Sequence, residues 1–166
     1  RCKFQREPEL MWCAFWVQSP SIGARFEPEW CGVEADIMEC FRKGEIGTGN
    51  NYGGYGAQYK IDGRVAYDLE ETEDGWHYFG MDWREDGYTF YCDGKEVMQC
   101  NDHVSHVPQF ILLTTEVQGY RSGINGNADG KYKLLGGGGL VDEPPFLIKD
   151  AFIDDAFIVD FVRVFD

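Results

Sequence analysis

No stretch of about eighteen consecutive apolar residues occurs in this sequence, so no segment reads as a membrane-spanning helix. No CxxC pair occurs, which removes the usual spacings of zinc and thioredoxin-like redox sites. No internal repeat and no linker-like change of composition divides the chain, and it reads as one domain over 1–166. No segment holds a 3.6-residue apolar period over three turns, so long helices are not expected. Positive charge is scarce: 15 Lys and Arg face 29 Asp and Glu, a net charge of −14. Repulsion at long range opposes encounter with nucleic acid or an anionic lipid surface, and neither is expected as a partner. No signal peptide is visible and the first residue is Arg1, so the chain reads as a fragment or a processed chain.

What is present points to β-structure. The 166 residues are 43% hydrophobic and 16% aromatic, enough to build one core, and the 21 glycines favour tight turns. Short apolar runs at 10–17, 33–41, 110–117 and 157–165 read as strands, and Trp76 to Trp83 alternates with His77, Phe79, Met81 and Trp83 on one face. Tyr88 to Cys92 and Lys95 to Cys100 flank Asp93-Gly94, a pair that supplies the positive φ angles of a two-residue hairpin. The expected fold is an all-β sandwich with long loops at 44–56, 119–139 and 142–145. The six cysteines permit disulfides, but a chain of this size does not need staples; free thiols are favoured, and the redox compartment stays open.

The chemistry gathers in Glu34-Ala35-Asp36-Ile37-Met38-Glu39. In a regular strand Glu34 and Asp36 share a face, whereas Glu39 has the wrong parity. A β-bulge near Met38 adds one residue and turns Glu39 onto the same side. Val33, Ile37, Met38 and Phe41 make the strand central and half-buried, where unpaired acids are costly. Crowded carboxylates split their proton affinities, which suits glycoside cleavage by one ionised and one protonated acid.

Aromatic faces suit the C–H surface of a sugar ring. The candidates are Trp12, Trp16, Trp30, Tyr52, Tyr55 and Tyr120, of which Trp16, Trp30 and Tyr120 are preferred; Trp12 and Trp83 read as core. Arg121, beside Tyr120, is placed to bind a sulfate or hydroxyl. His103 and His106 flank a turn before Pro108 and give only a weak metal signal.

Glu-x-Asp-Ile-Met-Glu resembles the active-site signature of glycoside hydrolase family 16 in its bulged form, found in laminarinases, agarases and carrageenases. Trp12-Cys13-Ala14-Phe15-Trp16, Trp76-His77-Tyr78-Phe79 with Trp83, Tyr91-Cys92-Asp93-Gly94-Lys95 and Val159-Asp160-Phe161-Val162-Arg163-Val164-Phe165 resemble further segments of that family, in its order. Cys13 stands where the family usually has proline. The resemblance implies a jelly-roll sandwich of two curved antiparallel sheets, with substrate along the concave face. It implies Glu34 as nucleophile, Asp36 as its assistant, Glu39 as acid/base, Trp16 as a sugar-stacking wall and His77 close to the carboxylates. It implies several dozen residues ahead of Arg1 and Lys3 that supply outer strands. No cofactor is required; some members carry a structural calcium, which here would use Asp160. The expected protein is a monomeric, secreted or periplasmic endo-acting hydrolase of a β-linked polysaccharide, either a β-1,3- or mixed-linkage glucan or an algal galactan. The other readings are a non-catalytic carbohydrate-binding module and a transglycosylase.

Overall fold

The computed structural model describes residues 1–4, 11–24, 27–42, 44–117, 132–133, 140–141 and 156–165. The main sheet contains β2 (Met11–Gln18), β3 (Glu34–Arg42), β4 (Glu45–Tyr52), β5 (Lys60–Asp68) and β9 (Phe110–Val117), in the order β5-β4-β3-β2-β9. Every pairing in it is antiparallel, and β3, the strand of acids, lies at its centre. A second sheet joins β6 (Phe79–Arg84), β7 (Gly87–Cys92) and β8 (Lys95–Cys100). Two smaller ladders pair β1 (Cys2–Phe4) with β12 (Phe157–Val159), and β10 (Tyr132–Lys133) with β11 (Leu140–Val141).

The core lies between the two larger sheets. Ala35, Ile37, Met38 and Cys40 of β3 and Ile46 of β4 meet Phe79, Tyr88, Phe90, Cys92, Met98 and Cys100 from the second sheet. Alternation explains this: one face of each strand is apolar, and the two apolar faces exclude water together. The β7–β8 hairpin turns at Asp93 and Gly94, with φ of 49° and 78°, the left-handed geometry that Asp-Gly favours. All six cysteines are buried, and none is joined in a disulfide.

Several boundaries differ from the sequence reading. The glycine-rich segment 44–56, expected as a loop, is mostly strand β4, paired on both sides. Its glycines lower strand propensity, but Ile46, Thr48 and Asn50 face the core at alternate positions and hold it there. A one-turn helix, α1 (Pro28–Cys31), was not expected; Pro28 opens it and Gly32, at φ 75°, ends it. Trp83 is 38% exposed rather than core, because its strand runs past the edge of the packed face; its indole donates to the Ser105 carbonyl at 2.9 Å. The last apolar run forms a ladder only over Phe157–Val159.

Candidate active site

Strand β3 departs from regular pairing at one point. Against β4, Asp36 stands opposite Gly49 and Glu39 opposite Gly47, so Ile37 and Met38 together face the single residue Thr48. Against β2, Asp36 stands opposite Trp16 and Met38 opposite Phe15, so Ile37 is the extra residue. Ile37 and Met38 both enter the core, at 3% and 0% exposure, and the alternation skips a step. Glu34, Asp36 and Glu39 consequently share the face turned away from the core. The hydroxyl of Thr48 donates to the Ile37 carbonyl at 3.1 Å, which satisfies a backbone group at the break in the ladder.

Three cross-strand rows build the surface around these acids. The first is Gln18, Glu34, Asn51 and Ile61; the second Trp16, Asp36, Gly49 and Arg64; the third Ala14, Glu39, Gly47 and Ala66. The glycines opposite Asp36 and Glu39 carry no side chain, which leaves room on β4 for a neighbouring side chain to reach the acids.

The polar contacts are dense. The Asn51 amide donates to Glu34 at 3.0 Å and to Asp36 at 2.7 Å, and its oxygen accepts from the Tyr59 hydroxyl at 2.8 Å. The Tyr55 hydroxyl donates to Glu34, and Gln18 donates to Tyr55. Arg64 Nη2 lies 3.3 Å from Glu39 Oε2. Asp36 and Glu39 are buried, at 5% and 6% exposure. Burial pushes the Asp36 carboxyl well above the usual carboxylate range, and the neighbouring Glu39 and Glu34 push it further; Asn51 and Arg64 pull the other way. Burial also raises Glu39, to about 7; Arg64 opposes this, Glu34 adds to it, and contacts with Asp36 and Trp12 lower it. The face therefore combines a carboxyl that exchanges its proton near neutrality with two further acids at hand, a set suited to proton transfer and nucleophilic attack.

The other expected residues fall in different places. Trp16 lies opposite Asp36, half-buried, with its indole donating to Thr114 at 3.0 Å. Trp30 projects from α1 just before β3 and is 71% exposed. His77, expected near the carboxylates, lies just ahead of β6 and bridges to β1. Its backbone pairs with Cys2, its ring lies 2.8 Å from Asp93, and it is buried beside Phe79. The reason is parity: His77 and Phe79 are two residues apart in extended chain and share the inward side. Tyr120 and Arg121 lie outside the described residues.

Asp160, the residue a structural calcium would use, is held by a cation. Its carboxylate accepts from Arg1 at 2.8 Å, and the same guanidinium contacts Asp74 at 3.1 Å. Among the described residues no group of three or more acidic, Cys or His ligands converges.

Sequence reasoning did not assign Gln18, Asn51, Tyr59 or Arg64 to the site, and it placed Trp12 in the core although its side chain contacts Glu39. One signal was readable: Gly47, Gly49 and Asn51 recur at a spacing of two, a strand period within a glycine-rich segment.

Residues 10–134 match the family model for glycosyl hydrolases family 16. The chain belongs to that family. Among solved structures, the laminarinase (endo-1,3-beta-glucanase) catalytic domain of Thermotoga petrophila RKU-1 is 25% identical, with a TM-score of 0.54 over 70% of this chain and 50% of that one. The laminarinase catalytic domain of Thermotoga maritima MSB8 is 26% identical, with a TM-score of 0.53 over 69% of this chain and 50% of that one. A Bacteroides ovatus mixed-linkage glucan protein of the family, in complex with a G4G4G3G product, shares the fold at 21% identity, with a TM-score of 0.54 over 70% of this chain and 53% of that one. The chain spans about half the length of these structures. A comparison with curated proteins finds no match. The antiparallel sheets of this chain are those of the family's jelly-roll sandwich.

Proposed function

We propose that the chain is the catalytic part of an endo-acting hydrolase that cleaves a β-linked glucan with retention of configuration. The observation that carries the reading is the bulge at Ile37–Met38, which sets Glu34, Asp36 and Glu39 on one face, with Glu39 titrating near neutrality. In the first step Glu39 gives its proton to the glycosidic oxygen while a Glu34 oxygen bonds to the anomeric carbon, and the leaving sugar departs. In the second, Glu39 takes a proton from water, the water oxygen bonds to the anomeric carbon, and the bond to Glu34 breaks. Two inversions give net retention. Asn51 bridges Glu34 and Asp36 and keeps the attacking oxygen in place. Trp16, beside Asp36, offers a ring face to the sugar at the point of cleavage.

A neutral β-1,3- or mixed-linkage glucan is the preferred substrate. The net charge of −14 disfavours a sulfated polymer, and the two Thermotoga structures bear the names of laminarinases. The test is reducing-end release from a panel of β-glucans and algal galactans by wild type and Glu34→Gln. Release from β-glucans that disappears in the variant supports the reading. Release confined to carrageenan or porphyran overturns the substrate, and release that survives Glu34→Gln overturns the mechanism.

A further inference from the structure

Strand β5 carries a second irregularity. Asp62 stands opposite Asn50 and Arg64 opposite the next residue of β4, Gly49, so Gly63 is an extra residue. Gly63 has φ 61°, a left-handed conformation that glycine adopts without strain. In an unbroken strand Arg64 would point, like Asp62, to the side of the buried Asn50. The extra glycine turns it onto the face of the acids instead. Next to it, Gly49 leaves a trough: a Cβ there would lie 3.5 Å from Arg64 Cγ, so the arginine stem rests along the bare backbone. The guanidinium then extends across β4 and meets Glu39 at 3.3 Å, with the Arg64 side chain 42% exposed and that of Glu39 8%.

We propose that Arg64 is a positioning residue for the acid/base, holding the Glu39 carboxyl in the cleft and setting the upper edge of the pH range over which the protein works. This rests on the reading of Glu39 as acid/base. Among the described residues the groups facing Glu39 can be apportioned. On β3 they are Glu34 and Asp36, on β2 the Trp12 indole, and just ahead of β5 the Tyr59 hydroxyl. On β4, Gly47 offers no side chain and Asn51 is engaged with the other two acids. On β9 the charged residue of that face is Glu116, opposite Trp12. Among the described residues Arg64 on β5 is the cation that faces Glu39, and its charge favours the carboxylate that Glu39 becomes after it has protonated the leaving group. The same contact holds that oxygen in place until water arrives for the second step. An arginine is suited to this because it stays charged at every working pH, and its planar fork limits how the carboxylate can turn.

The test compares wild type, Arg64→Met and Arg64→Lys. The Glu39 carboxyl is followed by carbon NMR in protein labelled at glutamate, with the signal assigned by its loss in Glu39→Gln. The alkaline limb of kcat/KM for glucan cleavage is recorded in parallel. Arg64→Met is expected to move the Glu39 midpoint and the alkaline limb upward together, by roughly one pH unit for a partner this exposed. Arg64→Lys, which keeps the charge, is expected to restore most of the wild-type value. Far-UV circular dichroism shows whether each variant is folded; if Arg64→Met is not, Arg64→Gln takes its place. A Glu39 midpoint that stays put in the folded neutral variant overturns the proposal, as does a midpoint that moves while the alkaline limb does not. If wild type cleaves no glucan but the midpoint still moves, the pairing stands and the hydrolase reading falls.

Discussion

The Thr48 hydroxyl donates to the carbonyl of Ile37 at 3.1 Å, at the point where β3 gains its extra residue. Without the hydroxyl this buried carbonyl loses a partner, and the bulge loses what fixes its shape. Thr48→Val is expected to destabilise the fold by about 1–3 kcal/mol, the cost of a buried polar group left unpaired. It should also lower kcat more than it raises KM, because Glu39 is aimed by the bulge. Denaturant unfolding and steady-state kinetics on the same preparation check both.

Glu39 should cost the protein stability above neutrality. Its carboxyl titrates near pH 7 in the fold against an ordinary value of 4.5. Between those values the folded chain keeps a proton that the unfolded chain has released, so stability falls as pH rises through this window. Glu39→Gln removes the penalty. The variant is expected to melt several degrees above wild type at pH 8, a gain on the order of 1–3 kcal/mol, and near wild type at pH 4. Asp36, displaced in the same direction, adds to the loss in wild type and remains in the variant. Calorimetry across this range checks the sign; a variant that gains nothing at pH 8 would contradict it.

Two glycines far apart in sequence hold Tyr55 against Glu34. Gly23 and Gly54 both have φ of 79°, and a Cβ on either would lie 2.8 Å from the Cα of the other. Alanine at either position must push the two turns apart. Gly23→Ala changes no side chain at the site, yet it is expected to lower kcat/KM by about 10- to 100-fold by withdrawing Tyr55. Tyr55→Phe should lose a similar amount. Wild-type kinetics in a folded Gly23→Ala protein would show that the Tyr55 contact is dispensable.

His77 should matter to the fold rather than to the chemistry. Its ring is buried against Asp93, at the hairpin turn of the second sheet. His77→Ala is expected to cost about 1–3 kcal/mol of stability and to leave kcat/KM close to wild type. A large loss of kcat at unchanged stability would bring His77 back to the site.

Much of this arrangement was legible before the fold was known. The parity conflict among Glu34, Asp36 and Glu39 called for a bulge, and the bulge is present. Asp93-Gly94 marked its hairpin because that dipeptide tolerates two left-handed residues. The rest was hidden for physical reasons. Strand β4 is poor in β-formers and held by burial and by neighbours on both sides, so propensity pointed to a loop. Asn51 and Arg64 reach the acids only through cross-strand pairing, which depends on register, and register here includes a second bulge at Gly63. His77 was misplaced because likeness of sequence does not say on which side of a strand a residue lies.

The most direct test is the activity of Glu34→Gln and Glu39→Gln, side by side, on an aryl β-glycoside with a good leaving group. Such a substrate needs no proton from Glu39 to depart but still needs a nucleophile. The assigned roles require that Glu34→Gln be inactive while Glu39→Gln still releases the aryl group. Equal residual activity in the two variants would contradict them.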